Sequence, residues 1–231
     1  MMGTGTTILL TRPREGSDAF AAALRAAGVE APIVISPLLR IERLGVVPDL
    51  SGFRGVIFTS KNGVETVPGA GLPVWCVGQA TAEAAVARGW QPAGTQGDAE
   101  SLFERICADK PEGPLLHIRG EHTRGDLAAR LCAAGIETRE TIVYRQVLQD
   151  LDEDAMRLLQ GEKPLVCPLF SPRTAQQLAD QGPFAAPLQL IAISSAVAEE
   201  LRGLPRERLL VAKAPDAQAM LNAVKSVCDA A

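Results

Sequence analysis

Short apolar runs recur along this chain, and each is followed by polar turn residues and then by apolar residues at helical spacing. Continuous apolar character over a few residues is typical of strands that are buried on both faces. The alternation of such strands with helices predicts an α/β fold with parallel sheets. The predicted strands are Thr7–Leu10, Val56–Phe58, Val74–Val77, Leu115–Ile118, Leu165–Phe170, Leu188–Ile193 and Leu209–Val211.

The whole pattern occurs twice in the chain. Residues 8–30 (ILLTRPREGSDAFAAALRAAGVE) align without a gap on residues 115–137 (LLHIRGEHTRGDLAARLCAAGIE), so that Arg12 matches Arg119. Such a long period indicates two duplicated domains rather than a solenoid. Later segments match in the same order: 56–64 with 167–175, 77–83 with 193–199, and 97–102 with 215–220.

Four residues are interpreted as helix ends rather than as chemistry. Gly28 and Gly135 follow predicted helices, where a glycine favours a left-handed C-terminal cap. Asp98 and Asp216 precede predicted helices, where a carboxylate oxygen accepts from free backbone N–H groups.

Two segments break the rhythm at matched places, Ile33–Leu44 and Thr141–Leu148. Both alternate apolar with polar residues, which is typical of exposed antiparallel strands. We therefore expect two parallel-sheet α/β domains joined by a two-stranded β ribbon, with the active-site cleft between the domains. The expected bounds are residues 1–36 with 150–231 for the first domain, 46–140 for the second, and 37–45 with 141–149 for the ribbon.

Composition excludes several classes of protein. Hydrophobic residues make up 47% and charged residues 22%, as in a soluble globular protein, and no apolar run is long enough to span a bilayer. The N-terminus has no signal-peptide pattern, so a cytoplasmic location is expected. A net charge of −4 without a Lys/Arg run argues against nucleic acid as a partner. The 5 cysteines lie mostly in apolar segments and are interpreted as buried thiols.

The turns that follow the strands are the places to search for a site, because ligands gather at the carboxyl ends of parallel strands. These turns, one of which spans residues 119–124, carry hydroxyls, small residues and cations beside helix N-termini, where free N–H groups favour anions. Ordinary helix capping by Ser and Thr is the alternative. The candidate binding residues are Arg12, Pro13, Ser60, Lys61, Asn62, Gly78, Gln79, Ala80, Thr81, Arg119, Gly120, Ser171, Pro172, Arg173, Ser194 and Ser195.

No nucleotide-binding or metal-binding motif occurs in the sequence: GxGxxG after a strand, a Walker A loop and CxxC are all missing. His117 and His122 lack a partner at metal-ligand spacing and are interpreted as structural. We therefore expect neither a cofactor nor a metal, and a reaction that depends on positioning and proton transfer. Tyr144 is the only tyrosine in the sequence and lies in the predicted ribbon. There it either donates a proton in the cleft or covers the ribbon.

The motifs ILLTRP, FTSKNGV, CVGQATAEAA, GDAESL, LLHIRGEHTRGDLAARLCAAG, VYR and KAPDAQAMLNAV, in this order, resemble the uroporphyrinogen-III synthase family over essentially the whole chain. The resemblance implies a cofactor-free lyase of tetrapyrrole and heme biosynthesis. Such an enzyme closes the linear polycarboxylate hydroxymethylbilane into uroporphyrinogen III, inverts the terminal ring and releases water. It also implies that Tyr144 is the proton donor. We further expect a transient contact with the preceding enzyme of the pathway.

The chain departs from the family pattern in its C-terminal half, where Ser194, Ser195 and Val197 stand in place of a glycine and threonines. We expect weaker substrate contacts there. Two alternatives stay open: a cytosolic two-domain protein that binds a small anion, and a catalytically degenerate member of the family.

Overall fold

The computed structural model describes residues 5–122 and 125–230. The last two positions of the turn 119–124, the first four residues of the predicted first domain and Ala231 lie outside the described residues. The strands of the described chain are β1 (Thr7–Leu10), β2 (Ile33–Ile35), β3 (Leu39–Arg43), β4 (Gly55–Phe58), β5 (Pro73–Val77), β6 (Gln91–Gln96), β7 (Leu115–Gly120), β8 (Thr138–Leu148), β9 (Leu165–Leu169), β10 (Leu188–Ala192) and β11 (Arg208–Val211).

Helices alternate with these strands along most of the chain. They are α1 (Arg14–Ala26), α2 (Lys61–Thr66), α3 (Gln79–Ala87), α4 (Ala99–Asp109), α5 (Leu127–Ala133), α6 (Glu153–Leu159), α7 (Pro172–Asp180), α8 (Ser195–Glu200) and α9 (Ala217–Asp229). No helix within the described ranges is both long enough and apolar enough to cross a membrane.

The described strands form two sheets. One has 5 strands in the order β11-β10-β9-β1-β2, and the other has 6 in the order β3-β8-β7-β4-β5-β6. Neighbouring strands pair in parallel throughout the first sheet and from β8 to β6 in the second. The predicted α/β class with mostly parallel sheets is confirmed. The chain divides into two compact units, Met1–Arg40 with Val147–Ala231 (unit 1) and Ile41–Gln146 (unit 2).

Each sheet is buried on both faces, as its apolar strands require. In unit 1, Leu9 on one face of β1 packs in a core with helices α6, α7 and α8. Ile8 and Leu10 on the other face pack in a second core, which includes Phe20 of α1 and Met220 of α9. In unit 2, the two faces likewise contribute to separate clusters. These cores fix the positions at which the strands end.

The expected helix caps are present. Asp98 accepts a hydrogen bond from Ser101 N at 2.8 Å, and Asp216 accepts one from Ala219 N at 2.7 Å. Gly28 and Gly135 follow α1 and α5 with φ values of +81° and +85°. Matched caps after the first helix of each repeat agree with the duplication seen in the sequence.

The structure corrects the prediction of two exposed antiparallel strands, because part of each segment pairs in parallel with a neighbouring strand. Ile33–Ile35 joins the parallel sheet of unit 1 beside β1, so only β3 remains from the segment Ile33–Leu44. The second strand begins at Thr138 and first pairs in parallel with β7. Strand β3 is the other neighbour of β8 in this sheet, and just beyond the end of β3 Leu44 N donates to Val143 O. Pairing between strands decided both cases, and alternating polarity alone does not reveal it.

Two further details of the structure differ from the sequence prediction. Strand β6 (QPAGTQ) was not predicted, because an edge strand needs no apolar run to hydrogen-bond to β5. The cysteines are all unpaired thiols, but only Cys76 and Cys167 are buried and Cys132 is exposed. Burial raises the pKa of Cys76 to about 11 and that of Cys167 to about 12.

Replacing Gly135 by alanine should lower the free energy of unfolding by about 1–2 kcal/mol, because a Cβ is disfavoured in the left-handed region. Gly97 is the matched control, since an added Cβ meets nothing within 4 Å at either site and only Gly135 has a positive φ. Urea unfolding of Gly135→Ala and Gly97→Ala measures both. Equal stabilities would show that backbone strain at Gly135 is negligible.

Candidate functional site

Each sheet contains a point at which the chain connections leave in opposite directions. In unit 1, β1 leads to β2 on one side and β9 leads to β10 on the other. In unit 2, β4 leads to β5 and β7 leads to β8. We call the carboxyl ends of β1 and β9 the first switch point and those of β4 and β7 the second. Open α/β sheets bind ligands at such points, because the diverging connections leave the strand ends uncovered.

Arg12 and Phe170 meet at the first switch point. The parallel register pairs Ile8 with Val166, so the residues that follow β1 and β9 lie side by side. The Arg12 guanidinium carbon lies 4.2 Å from the centroid of the Phe170 ring, and Phe20 supports that ring edge-on at 5.0 Å. A cation over an aromatic face is attracted to it and is held in a fixed orientation.

The Arg12 guanidinium has no hydrogen bond or ion pair with any residue that the structure describes. Its burial lowers the pKa of Arg12 below the ordinary value, which reflects a cation that has lost water without gaining an anion. A bound carboxylate offsets such a desolvation cost and accepts two parallel hydrogen bonds from the guanidinium.

The N-terminus of α1 adds backbone donors beside Arg12. Its N-cap is Pro13, which offers no side-chain acceptor to the first turn of the helix. Free N–H groups and the helix dipole favour an anion at this end. At α7, by contrast, the Ser171 hydroxyl accepts from Thr174 N at 3.2 Å, and Pro172 at the first position has no N–H to offer. The open helix end at the first switch point is therefore that of α1.

The other candidates of unit 1 lie in the first turns of α7 and α8. Arg173 is half-buried in the first turn of α7. Ser194 is the N-cap of α8 and makes no side-chain cap hydrogen bond, while Ser195 is exposed. These residues follow β9 and β10, so the strand order places them on the carboxyl edge of the sheet.

In unit 2, the candidates after β4 serve as helix caps or first-turn residues. The Ser60 hydroxyl accepts from Asn62 N at 3.3 Å, as an ordinary N-cap does. Lys61 lies 3.9 Å from Glu65 on the same helix.

The turn after β5 is more open. Gly78 is the N-cap of α3 with φ +82° and no side-chain cap, and Gln79 and Ala80 are exposed while Thr81 is buried. The first turn of α3 thus leaves backbone N–H groups available to an anion, as the first turn of α1 does.

Arg119 occupies the position of Arg12 in the second repeat, but its guanidinium is engaged. Nη2 donates to Glu140 Oε2 at 2.9 Å, and Nη1 donates to the carbonyl oxygens of Gly120 and Glu121 at 2.9 and 3.2 Å. Nε is buried without an acceptor among the described residues. A substrate carboxylate at Arg119 has to compete with Glu140.

A polar group that was not predicted from the sequence lies beside Arg119. His117 on β7 is buried, and its imidazole contacts Thr59 Oγ1 at 3.3 Å through Nε2 and Glu140 Oε1 at 3.2 Å through Nδ1. His117 was interpreted as structural from the sequence. The available signal was the pair of polar residues His117 and Arg119 on one face of an otherwise apolar strand, but the partner Glu140 depends on strand register.

Tyr144 is a core residue of unit 2 rather than an exposed aromatic of the ribbon, which corrects its expected environment. It is 5% exposed and packs in the cluster that contains Phe58 and Ile118. The register of β7 with β8 shifts between Arg119 and Gly120, so that Tyr144 lies opposite Gly120. Its hydroxyl has no hydrogen-bond partner among the described residues. The phenol is thus held by packing and keeps its donor unused.

A family model described as uroporphyrinogen-III synthase HemD matches residues 18–222 of the chain. The chain belongs to the uroporphyrinogen-III synthase family. The uroporphyrinogen-III synthase of Chlorobaculum parvum is 29% identical to it over 191 residues, which cover 74% of this chain and 76% of that protein. Uroporphyrinogen-III synthases are enzymes of tetrapyrrole and heme biosynthesis that act on a small-molecule substrate.

Solved uroporphyrinogen-III synthases share the fold. The Helicobacter pylori enzyme aligns with a TM-score of 0.68 at 18% identity, over 96% of this chain and 99% of that one. A mutant Thermus thermophilus enzyme aligns with a TM-score of 0.52 at 16% identity, over 98% of this chain and 100% of that one. Within the described part of this synthase, no group of three or more His, Cys, Asp and Glu side chains is arranged to hold a metal ion.

Replacing Gly120 by alanine should destabilise unit 2, because an added Cβ would lie 2.5 Å from Tyr144 Cζ. We expect the free energy of unfolding to fall by about 1–3 kcal/mol, as for other overpacked cores. Tyr144→Ala in the same protein removes the clash, so the cost of the double variant should be smaller than the sum of the two single costs. Additive costs in urea unfolding would contradict the contact.

Proposed function

We propose that this chain is a cofactor-independent lyase that cyclises hydroxymethylbilane to uroporphyrinogen III, with inversion of the terminal ring and loss of water. The observation that supports this most directly is the Arg12 guanidinium, which is stacked on Phe170 at the first switch point without an anionic partner among the described residues. The substrate is a flexible chain of pyrroles with many carboxylates, so a desolvated cation beside an open helix end suits it.

Orientation is the main task in this reaction. Ring closure without inversion is facile in the absence of enzyme, so the protein has to hold the terminal ring for attack at its substituted carbon, through a spiro intermediate. Arg12 with Pro13 and the first turn of α1, and Gly78 with the first turn of α3, are the proposed carboxylate contacts. The remaining candidate residues after β4, β7, β9 and β10 supply further polar contacts in this proposal.

Tyr144 is the proposed general acid. When the C–O bond of the terminal hydroxymethyl group breaks, the phenol donates its proton and the oxygen leaves as water. The azafulvene cation that remains on the hydroxymethyl-bearing ring is attacked by the substituted carbon of the terminal ring, which gives the spiro intermediate. The bond from that carbon to its original methylene bridge then breaks, the bridge carbon bonds to the free α-carbon of the terminal ring, and the proton lost from this α-carbon returns to the phenolate. Atoms and charge balance without a metal or a nucleotide.

The decisive assay supplies freshly generated hydroxymethylbilane to the protein without added metal or nucleotide and determines the uroporphyrin isomers after oxidation. We expect the type III isomer in excess. Type I alone, at the rate of the buffer control, would contradict the proposed activity and favour a small-anion binding protein or a degenerate family member.

Arg12→Gln should raise KM about ten- to a hundredfold, the loss expected for one charged hydrogen-bonded contact, with a smaller effect on kcat. Arg157→Gln is the control, because Arg157 is an exposed arginine of unit 1 that pairs only with Asp154 in the described structure. Steady-state kinetics on both variants tests this. An unchanged KM in folded Arg12→Gln protein would remove Arg12 from the binding site.

Tyr144→Phe should lower kcat roughly ten- to a thousandfold, because spontaneous ionisation of the activated leaving group supplies part of the rate. Stability should hardly change, since the ring and its packing are kept. Near-normal turnover in the folded variant would reduce Tyr144 to a packing residue and leave orientation as the whole mechanism.

A further inference from the structure

A line of polar contacts crosses three adjacent strands at the second switch point. Thr59 directly follows β4, His117 lies on β7, and Glu140 lies on β8 opposite His117 in the parallel register. Thr59 Oγ1 lies 3.3 Å from His117 Nε2, and His117 Nδ1 lies 3.2 Å from Glu140 Oε1. The second oxygen of Glu140 accepts from Arg119 at 2.9 Å.

The protonation states of this line follow from its partners. Burial of Glu140 opposes its ionisation, but the hydrogen bond and charge of Arg119 and the contact with His117 hold the pKa of Glu140 below its ordinary value. Burial lowers the pKa of His117 against the opposing effect of Glu140. A carboxylate that only accepts therefore faces a neutral imidazole, which must carry its proton on Nδ1.

The tautomer of His117 determines the direction of its hydrogen bond with the Thr59 hydroxyl. With the proton on Nδ1, Nε2 has only a lone pair, so Thr59 must donate its O–H proton to Nε2. The remaining hydrogen-bonding capacity of Thr59 Oγ1 is that of an acceptor. Thr59 is half-buried where β4 ends, so this oxygen lies at the edge of the sheet where ligands bind.

We propose that His117 and Glu140 are positioning residues that hold the Thr59 oxygen as an acceptor for a pyrrole N–H group of the substrate. This inference rests on the proposed function. A pyrrole N–H, like that of indole, only donates, whereas a carboxylate at Thr59 would place two acceptors against each other. The second switch point therefore selects ring nitrogens, while Arg12 at the first attracts carboxylates.

The first test reads the tautomer directly and needs no substrate. Since the chain has only 2 histidines, ¹⁵N-imidazole NMR with a His122→Asn variant for assignment isolates His117. At neutral pH we expect Nδ1 protonated and Nε2 bare. In Glu140→Gln the amide oxygen stays with Arg119 and the NH₂ group faces His117, so the proton should move to Nε2. An Nε2–H tautomer or an imidazolium in the unsubstituted protein would overturn the proposal.

The second test reads substrate binding. Thr59→Val and Glu140→Gln should each lower kcat/KM roughly three- to thirtyfold, mainly through KM, whereas Thr59→Ser restores the hydroxyl and should stay near the original value. Glu137→Gln is the matched control, because Glu137 forms an exposed pair with Arg139. Equal thermal unfolding midpoints separate this effect from a loss of folding.

The same assay separates the two claims. If the unsubstituted protein makes type III isomer and the Thr59→Val and Glu140→Gln variants keep its kcat/KM, the role of Thr59 is refuted and the proposed function stands. If the unsubstituted protein makes only type I isomer, the proposed function fails and the substrate contact of Thr59 fails with it.

Discussion

The parallel pairing of β1 with β9 and of β4 with β7 is the constraint on which the positions of the candidate binding residues depend. Parallel neighbours bring their carboxyl ends to one edge of a sheet, and at these two pairs the onward connections leave in opposite directions. The strand ends are therefore uncovered there. Cores on both faces of each sheet hold the pairs in register, so the residues that follow the strands need little further support to be positioned.

The duplication places equivalent arginines in opposite electrostatic states. Arg12 is stacked on an aromatic ring and has no anion among its described neighbours, while Arg119 is neutralised by Glu140. A partly buried cation without a counterion attracts an anionic group, whereas the charge of a paired cation is already compensated by its partner. The two copies of the repeat have therefore diverged in their polar contacts. The first switch point has a cation that suits an anionic ligand, and the second has a series of hydrogen-bonding contacts from Glu140 through His117 to the hydroxyl of Thr59.

The sequence predicted the features that depend on residues close together in the chain. Buried strands follow from continuous apolar runs, and the cap at Gly135 follows from its place after a helix. Register decides the rest, and a single sequence does not show it. The polar edge strand β6, the pairing of Ile33–Ile35 with β1, the burial of Tyr144 against Gly120 and the contact of His117 with Glu140 all depend on which strands become neighbours.

The most direct measurement is a crystal structure of this uroporphyrinogen-III synthase family member with uroporphyrinogen III bound. We expect a propionate or acetate group within hydrogen-bond distance of the Arg12 guanidinium and the first backbone N–H groups of α1. If the product binds with Arg12 still unpaired and its carboxylates away from the carboxyl edges of the sheets, the switch points are not where this protein binds its ligand.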